Sequence, residues 1–254
     1  MTSGYDKFAL FYDRLTANVN YSAIADLVDG LIKKHSDYDE VILDLACGTG
    51  SLSEKLAEKG YDVVGVDNSA EMLDAAQKRF DKTELPVTLL LQDMTELELW
   101  GAVDCTVCLL DSLNHLNNNN QLEKAFERVS MYTCAGGLFV FDLNTEYKHR
   151  QVLADNAFNY DLDGVFCAWQ NELEDNGDIH VFLDFFENGS DGKYTRYSDD
   201  FVEILFDDDF VENSLIKNGF EVIGKYDDFS LEKVNNKTQR VLWVCKKKRI
   251  KKEI

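Results

Sequence analysis

Short apolar runs alternate with amphipathic helical stretches over residues 41–143, and this alternation is the strongest constraint on the fold. Apolar positions spaced three and four residues apart mark the helical stretches. Strands that are apolar throughout and are joined by helices form a parallel sheet covered on both faces. The sequence therefore predicts an α/β fold with a doubly wound, mostly parallel sheet. The five predicted strands of this region are 41–45, 61–67, 87–93, 104–110 and 138–144.

Residues 160–206 lose the helical periodicity. Long alternating runs are separated there by the turn signals NGD and NGSDG, so we interpret 149–206 as an inserted antiparallel β subdomain. Residues 207–248 return to a helix and a closing pair of strands, which brings the predicted sheet to seven strands. The predicted organisation is an N-terminal helical segment, 1–37, an α/β domain formed by 38–148 and 207–248, and the insertion.

Composition and charge exclude several classes of function. The chain has 47 acidic and 26 basic residues, for a net charge of −21. So acidic a protein repels phosphate backbones, which argues against nucleic-acid partners. No apolar run reaches the roughly eighteen residues of a membrane span, and the N-terminus has no signal-peptide pattern, so we expect a cytoplasmic protein without membrane contact. Most of the six cysteines lie in apolar segments, which favours buried thiols over a metal or redox site, even for the Cys105–Cys108 pair.

Small residues follow the first predicted strand at Ala46, Gly48 and Gly50. Ligands of open parallel sheets bind beyond the carboxyl ends of the strands, where small residues let them approach the main chain and the next helix. Asp67 ends the second strand and Asp93 the third. Carboxylates at these two ends can accept hydrogen bonds from a ribose and from an adenine amino group. The sequence therefore predicts an adenosine site.

Two adenosine cofactors fit this arrangement. A dinucleotide fingerprint requires a third glycine, but Ser51, Leu52 and Ser53 follow Gly50. An NAD(P)-linked oxidoreductase is therefore the second hypothesis. The first is a protein that binds S-adenosylmethionine (SAM).

The same stretches resemble the class I SAM-dependent methyltransferases of the small-molecule type. DLACGTG (44–50) resembles their acidic, glycine-rich loop, with Ala46 in place of the first glycine. VVGVDNSAEML, LLLQDM and DCTVCLLDSLNHL resemble the next three motifs in order and spacing. The resemblance implies a Rossmann-like methyltransferase fold, SAM as cofactor, and methyl transfer to a small-molecule acceptor by in-line displacement.

The resemblance also implies roles for individual residues. Asp44 would lie near the methionyl amino group of SAM, Asp67 would hold the ribose, and Asp93 with Met94 would hold the adenine. The N-terminal segment would close over the cofactor as a lid through Tyr12 and Tyr21. The expected cofactor-binding residues are Tyr12, Tyr21, Asp44, Ala46, Cys47, Gly48, Gly50, Asp67, Asn68, Met72, Asp93, Met94 and Leu109.

Catalytic residues are poorly marked, because transfer from a sulfonium mainly requires alignment of the acceptor and exclusion of water. The candidates are Asp111, His115 and Tyr12. The string Asp111–Ser112–Leu113–Asn114 lacks the prolines and aromatic residue of enzymes that methylate nucleic-acid bases. No metal-ligand spacing occurs, so no metal is expected. A catalytically silent SAM-binding module is a third hypothesis, since no base stands out.

The insertion is rich in aromatic residues. It is predicted to form an acceptor pocket or a dimer surface, so the chain is expected to be a monomer or a homodimer through this insertion. The residues on which this expectation depends are Trp169, Phe182, Phe185, Phe186, Tyr194, Arg196 and Tyr197.

Overall fold

The computed structural model describes residue 9 and residues 11–249. The first part of the predicted N-terminal segment, residues 1–8 and 10, therefore lies outside the described residues. Two helices precede the large sheet: α1, Tyr12–Leu15, and α2, Tyr21–His35. Asn20 begins α2 by accepting a hydrogen bond from the Ala23 amide at 3.0 Å, which satisfies one amide of the first turn.

The large sheet is mixed and mostly parallel. Its first five strands are β1 Val41–Leu45, β2 Asp62–Asp67, β3 Val87–Leu91, β4 Val103–Cys108 and β5 Thr133–Asn144. The helices among them are α3 Ser51–Glu58, α4 Ala70–Phe80 and α5 Asn119–Tyr132. These five strands pair in parallel in the order β5-β4-β1-β2-β3, so the α/β prediction is confirmed. The direction of winding reverses at β1, which is where such sheets bind ligands.

Four strands form a second sheet, which confirms the antiparallel insertion. They are β6 Ala157–Leu162, β7 Val165–Leu173, β8 Ile179–Asn188 and β9 Tyr194–Glu203. Alternate residues of β8, among them Val181 and Phe185, are fully buried. Phe11 stacks on Phe185 with ring centroids 4.7 Å apart, so the segment before α1 covers this face.

The chain then returns to the large sheet through α6, Asp208–Lys217. The remaining strands are β10 Phe220–Asp227, β11 Glu232–Lys233 and β12 Arg240–Lys247. Strand β12 pairs antiparallel with β5 and with β10. The predicted count of seven strands is one too low, because β11 adds a two-residue edge strand beside β10. So short a strand has no sequence periodicity of its own.

Strand β5 begins at Thr133, five residues before the predicted start at Leu138. It passes through Gly136 and Gly137, and Gly136 has a left-handed φ of 94°. A Cβ on Gly137 would lie 2.5 Å from the Asp104 carbonyl oxygen of β4. Glycine here lets two strands approach closely around an irregularity and does not end the strand.

Among residue 9 and residues 11–249, no helix combines the length and the apolar character that a membrane crossing requires. The thiols of Cys105 and Cys108 are unpaired and buried in β4, as expected for small core residues.

Candidate active site

A cleft of about 480 Å³ lies over the carboxyl ends of the parallel strands. A smaller cavity of about 20 Å³ adjoins it and shares Tyr12, Ala46 and Leu110 with it. Of the predicted site residues, the cleft is lined by Tyr12, Ala46, Gly48, Asp67, Asn68, Met72, Asp93, Met94, Asp111 and His115. The small cavity adds Tyr21, Asp44, Cys47 and Leu109.

Gly50 is the one predicted site residue that lines neither cavity. It begins α3 with a left-handed φ of 79°. A Cβ on Gly50 would lie 2.8 Å from the Phe80 ring. Glycine is needed here for helix packing and backbone conformation, and this need is separate from ligand approach.

The loop after β1 is held in a left-handed conformation at Ala46 (φ 60°) and Gly48 (φ 55°). The Gly48 amide donates to Asp67 Oδ2 at 2.8 Å, so the carboxylate at the end of β2 fixes the loop. A Cβ on Gly48 would lie 3.8 Å from the Tyr12 ring and 3.9 Å from Met72 Sδ. The loop, α1 and α4 therefore meet at Gly48.

Asp67 and Asp93 each anchor a turn and still face the cleft. Asp67 Oδ1 accepts the Ser69 amide at 2.9 Å, next to the start of α4. Asp93 Oδ1 accepts the Thr95 amide and hydroxyl, both at 2.7 Å. Burial raises the pKa of Asp67, although the amides of Ser69 and Gly48 partly oppose the rise. Each carboxylate keeps lone pairs for further donors.

Asp44 lines the small cavity and is only 3% exposed. Its Oδ2 accepts a hydrogen bond from Ser53 Oγ at 2.5 Å. Burial, with a smaller contribution from the charge of Asp67, raises the pKa of Asp44 to about 7. The carboxyl is therefore poised to ionise beside a cationic ligand group.

Helix α1 is fastened to the glycine loop by Asp13. Asp13 Oδ1 accepts the Thr49 hydroxyl at 2.5 Å, and Asp13 Oδ2 accepts from Arg79 Nη2 at 2.9 Å. Arg79 Nε also donates to the Thr49 carbonyl at 3.0 Å. These contacts keep the neighbouring Tyr12 at the cleft. Burial raises the pKa of the Tyr12 phenol well above its usual value, and the charges of Tyr21 and Asp111 add to the effect.

The turn after β4 is strained. Leu110 and Asp111 have left-handed φ values of 61° and 54°. Their amides donate to the two oxygens of Asp142, at 2.6 and 2.7 Å, and Asp142 on β5 is fully buried. Burial raises the pKa of Asp142 to about 6, and the Arg240 guanidinium opposes the rise. The two hydrogen bonds to Asp142 hold Leu110 and Asp111 in the left-handed conformation, which is unfavourable for residues other than glycine.

Asp111, which lines the cleft, forms ion pairs with two basic side chains. Its Oδ2 lies 2.9 Å from Arg240 Nη2 and 3.2 Å from Lys148 Nζ. Burial acts to raise the pKa of Asp111, but Arg240 and Lys148 outweigh burial and hold the pKa well below its usual value. Asp111 therefore stays ionised and is a poor proton acceptor. His115 lines the cleft beside it, with its ring 4.8 Å from that of Phe201.

Only one of the seven residues predicted to form the acceptor pocket from the insertion lines the cleft. That residue is Trp169. Phe185 is buried under Phe11, and Arg196 forms a surface ion pair with Asp184 at 2.7 Å. The other four, Phe182, Phe186, Tyr194 and Tyr197, are absent from the lining of the cleft. Which side chains reach the cleft depends on the strand register, because successive residues point to opposite faces.

Sequence reasoning missed several residues at this end of the cleft. They are Lys148, Tyr160, Phe201, Glu203 and Arg240. Lys148 follows β5, Glu203 ends β9 and Arg240 begins β12, so long stretches of chain separate them. Glu203 and Arg240 lie at the ends of antiparallel strands, so the rule that identified Asp67 and Asp93, a polar residue at the carboxyl end of a parallel strand, does not apply to them.

Comparisons with known proteins agree with this geometry. A sequence family described as a methyltransferase domain matches residues 42–137. A Geobacillus sp. (strain WCH70) protein named as a methyltransferase is 31% identical over 245 residues, which cover 96% of this chain and 99% of that protein. The crystal structure of a S-adenosylmethionine-dependent methyltransferase from Clostridium acetobutylicum ATCC 824 has a TM-score of 0.86 and 34% identity, covering 96% of this chain and 99% of that chain. A dTDP-3-amino-3,6-dideoxy-alpha-D-glucopyranose N,N-dimethyltransferase from Streptomyces fradiae is 31% identical over 118 residues, which cover 46% of this chain and 44% of that protein.

Proposed function

The chain belongs to the class I SAM-dependent methyltransferases, and we propose that it methylates a small polar molecule bound in the cleft beside the cofactor. The observation that carries this proposal is that one cleft of about 480 Å³ is lined both by Asp67 and Asp93 and by Trp169 and Glu203. Its first end belongs to the parallel sheet and its second to the insertion. The second end would receive the acceptor.

The residues present fit SAM. Asp67 would hold the ribose hydroxyls, Asp93 would accept the adenine amino group, and Met72 would pack on the ring. Asp44 would face the α-ammonium group from the small cavity, since a carboxylate close to a cation gains charge stabilisation there. When bound, SAM supplies a methyl group on a sulfonium whose sulfur leaves as a neutral thioether. The NAD(P)-linked oxidoreductase hypothesis is wrong, because the chain belongs to a methyltransferase family.

The chain's own contribution is alignment and exclusion of water. Asp142 fixes the turn at Leu110 and Asp111, and this turn forms the floor between the two ends of the cleft. Tyr12, Trp169 and Phe201 line the cleft and give it aromatic surface that would help to exclude water. Holding two reactants in line within a closed site lowers the barrier without a covalent intermediate.

A small-molecule acceptor suits the size and charge of the protein. The cleft has the volume of a typical small-ligand site, and the net charge of −21 disfavours nucleic acid. The Streptomyces fradiae relative is named for action on an amino sugar nucleotide, which is also a small polar molecule. The cytoplasmic location, the absence of nucleic-acid partners and the monomeric or dimeric state stay predictions.

The test is transfer of label from methyl-labelled SAM to fractionated small-molecule extracts. We expect labelled product with the wild-type protein and none with the Asp67→Ala variant, because that variant lacks the ribose acceptor. An Asp184→Ala variant removes an ion pair with Arg196 and a hydrogen bond from Ser198, none of which lines the cleft, and serves as the control. Label appearing only in the nucleic-acid or protein fraction would contradict a small-molecule acceptor. Tight SAM binding without labelled product in any fraction would favour the silent-module hypothesis.

A further inference from the structure

Glu203 is a buried carboxylate at the acceptor end of the cleft. It ends β9 of the inserted sheet, is 5% exposed and lines the cleft. Its Oε2 accepts one hydrogen bond from Asn144 Nδ2 at 2.8 Å. In the described part of the chain, no lysine or arginine nitrogen lies within 4.0 Å of this carboxylate.

His149 lies beside Glu203, with its Nε2 3.9 Å from Oε2. His149 is fully buried, and its Nδ1 lies 2.9 Å from the Gly177 carbonyl oxygen. A carbonyl oxygen only accepts, so Nδ1 carries the hydrogen and donates it. Burial lowers the pKa of His149, although this hydrogen bond and Glu203 oppose the effect. A neutral imidazole with its hydrogen on Nδ1 gives Glu203 no positive charge.

Two carboxylates near Glu203, those of Asp111 and Asp142, are paired with cationic side chains. Arg240 contacts both Asp111, at 2.9 Å, and Asp142, at 3.0 Å, and Lys148 also contacts Asp111. Glu203 differs from both, because no lysine or arginine of the described residues lies within 4.0 Å of its carboxylate. An uncompensated buried charge is costly, and a ligand that brings N–H donors and positive charge removes the cost.

The position of Glu203 relates this charge to the reaction. Asn144 Nδ2 donates both to Glu203 and, at 3.1 Å, to Asp111 Oδ2. A single amide thus joins Glu203 to the turn after β4, which is the floor on which methyl donor and acceptor are proposed to meet. Trp169 and Phe201 line the same end and provide an apolar wall for the rest of the acceptor.

We propose that Glu203 binds the amino group of the acceptor, so that the substrates of this enzyme are small amines; this inference rests on the proposed function. Glu203 pairs with the ammonium form, whose excess proton passes to water, and then accepts an N–H hydrogen bond from the neutral amine. The nitrogen lone pair forms the N–C bond while the C–S bond breaks, and the electron pair of that bond passes to sulfur. Positive charge moves from sulfur to nitrogen in this step. The Glu203 carboxylate stabilises the positive charge that develops on nitrogen in the transition state. The methylated ammonium product keeps this charge until it loses a proton to water.

The experiment measures binding of n-butylammonium chloride and of n-butanol to the protein saturated with S-adenosylhomocysteine, by titration followed with NMR. The variant is Glu203→Gln, which keeps the size of the side chain and an oxygen for Asn144. Glu172→Gln is the control, because Glu172 is an exposed glutamate of the same sheet. Melting temperatures of all three proteins establish that they fold.

We expect wild-type protein and Glu172→Gln to prefer the ammonium probe over the alcohol by about tenfold or more, the effect of a hydrogen bond to a charged group. Glu203→Gln should lose this preference and still bind S-adenosylhomocysteine as wild type does. A preference that survives in Glu203→Gln, or is absent from wild type, would overturn the proposal. Failure of wild type to bind S-adenosylhomocysteine would instead count against the proposed function.

Discussion

At the scale of a single residue, the proposed contact of Asp44 with the cofactor would couple cofactor binding to protonation. Its pKa of about 7 lies well above the ordinary value of 3.8. Between these two values the folded protein retains a proton that the unfolded chain has lost. The contribution of Asp44 to the free energy of unfolding therefore falls as pH rises through this window. An ammonium group of a ligand close to Asp44 would favour the ionised carboxylate and so offset this loss of stability.

We therefore predict that affinity for S-adenosylhomocysteine rises with pH between about 5.5 and about 7.5, where an α-amino group is still charged. The rise should approach about tenfold per pH unit at the acidic end, because binding displaces one proton. Asp44→Asn should bind more weakly at neutral pH, with a flatter profile. Calorimetry across this range measures both, and parallel profiles for the two proteins would refute the role of Asp44.

The sequence predicts the location of Asp67 and Asp93 because both lie at the ends of parallel strands. Asp67 and Asp93 follow apolar runs, and parallel strands bring their carboxyl ends to one edge, so their meeting in the cleft could be predicted. Glu203 and Arg240 could not be found in this way. They reach the cleft through antiparallel strands, whose register decides which face each side chain occupies.

Helix α1 shows how an element of one turn is held in place. Its own hydrogen bonds are too few to form a stable helix, since short isolated helices are marginal in water. Tertiary contacts supply the stability, because Asp13 binds both Thr49 and Arg79. The position of Tyr12 over the glycine loop therefore depends on Asp13.

We predict that Asp13→Ala speeds dissociation of S-adenosylhomocysteine several-fold, on the order of the 1 kcal/mol expected for a lost hydrogen bond. Stopped-flow competition measures the dissociation rate. Asp26→Ala is the matched control, because Asp26 forms an exposed ion pair with Lys59 on the surface. Equal dissociation rates for Asp13→Ala and Asp26→Ala would show that α1 does not retain the cofactor.

Helices and strands could be predicted from the sequence where a regular spacing of apolar residues extends over the whole element. The parallel strands and their helices follow from apolar spacing, whereas the early start of β5 does not. The pair Gly136–Gly137 is typical of a break between elements. Its actual role, a close approach of β5 to Asp37 and Asp104, involves residues distant in sequence.

At the scale of the whole molecule, Phe11 links the inserted sheet to the glycine loop of the large sheet. Its ring is 2% exposed and packs on Phe185 and Tyr197 of the inserted sheet, while the next residue, Tyr12, lies next to Gly48 in the glycine loop. The inserted sheet and the cofactor cleft thus share one short segment of chain.

We predict that Phe11→Ala lowers the free energy of unfolding by about 3 to 5 kcal/mol, the usual cost of removing a buried phenylalanine. Cofactor affinity should fall with it, because Tyr12 loses its support. Phe166→Ala, at a position 41% exposed on the insertion, should cost under about 1 kcal/mol. Urea denaturation measures both, and equal losses would contradict the connecting role of Phe11.

We propose that Asp67 and Asp93 contribute most to binding of the adenosine part of the cofactor. Calorimetric titration of S-adenosylhomocysteine into wild type, Asp67→Ala, Asp93→Ala and the surface control Asp184→Ala tests it directly. The predicted result is wild-type affinity for the control, a loss of about 30-fold for Asp67→Ala and of about tenfold for Asp93→Ala, as expected for lost hydrogen bonds to carboxylates. Wild-type affinity in both Asp67→Ala and Asp93→Ala would contradict the account.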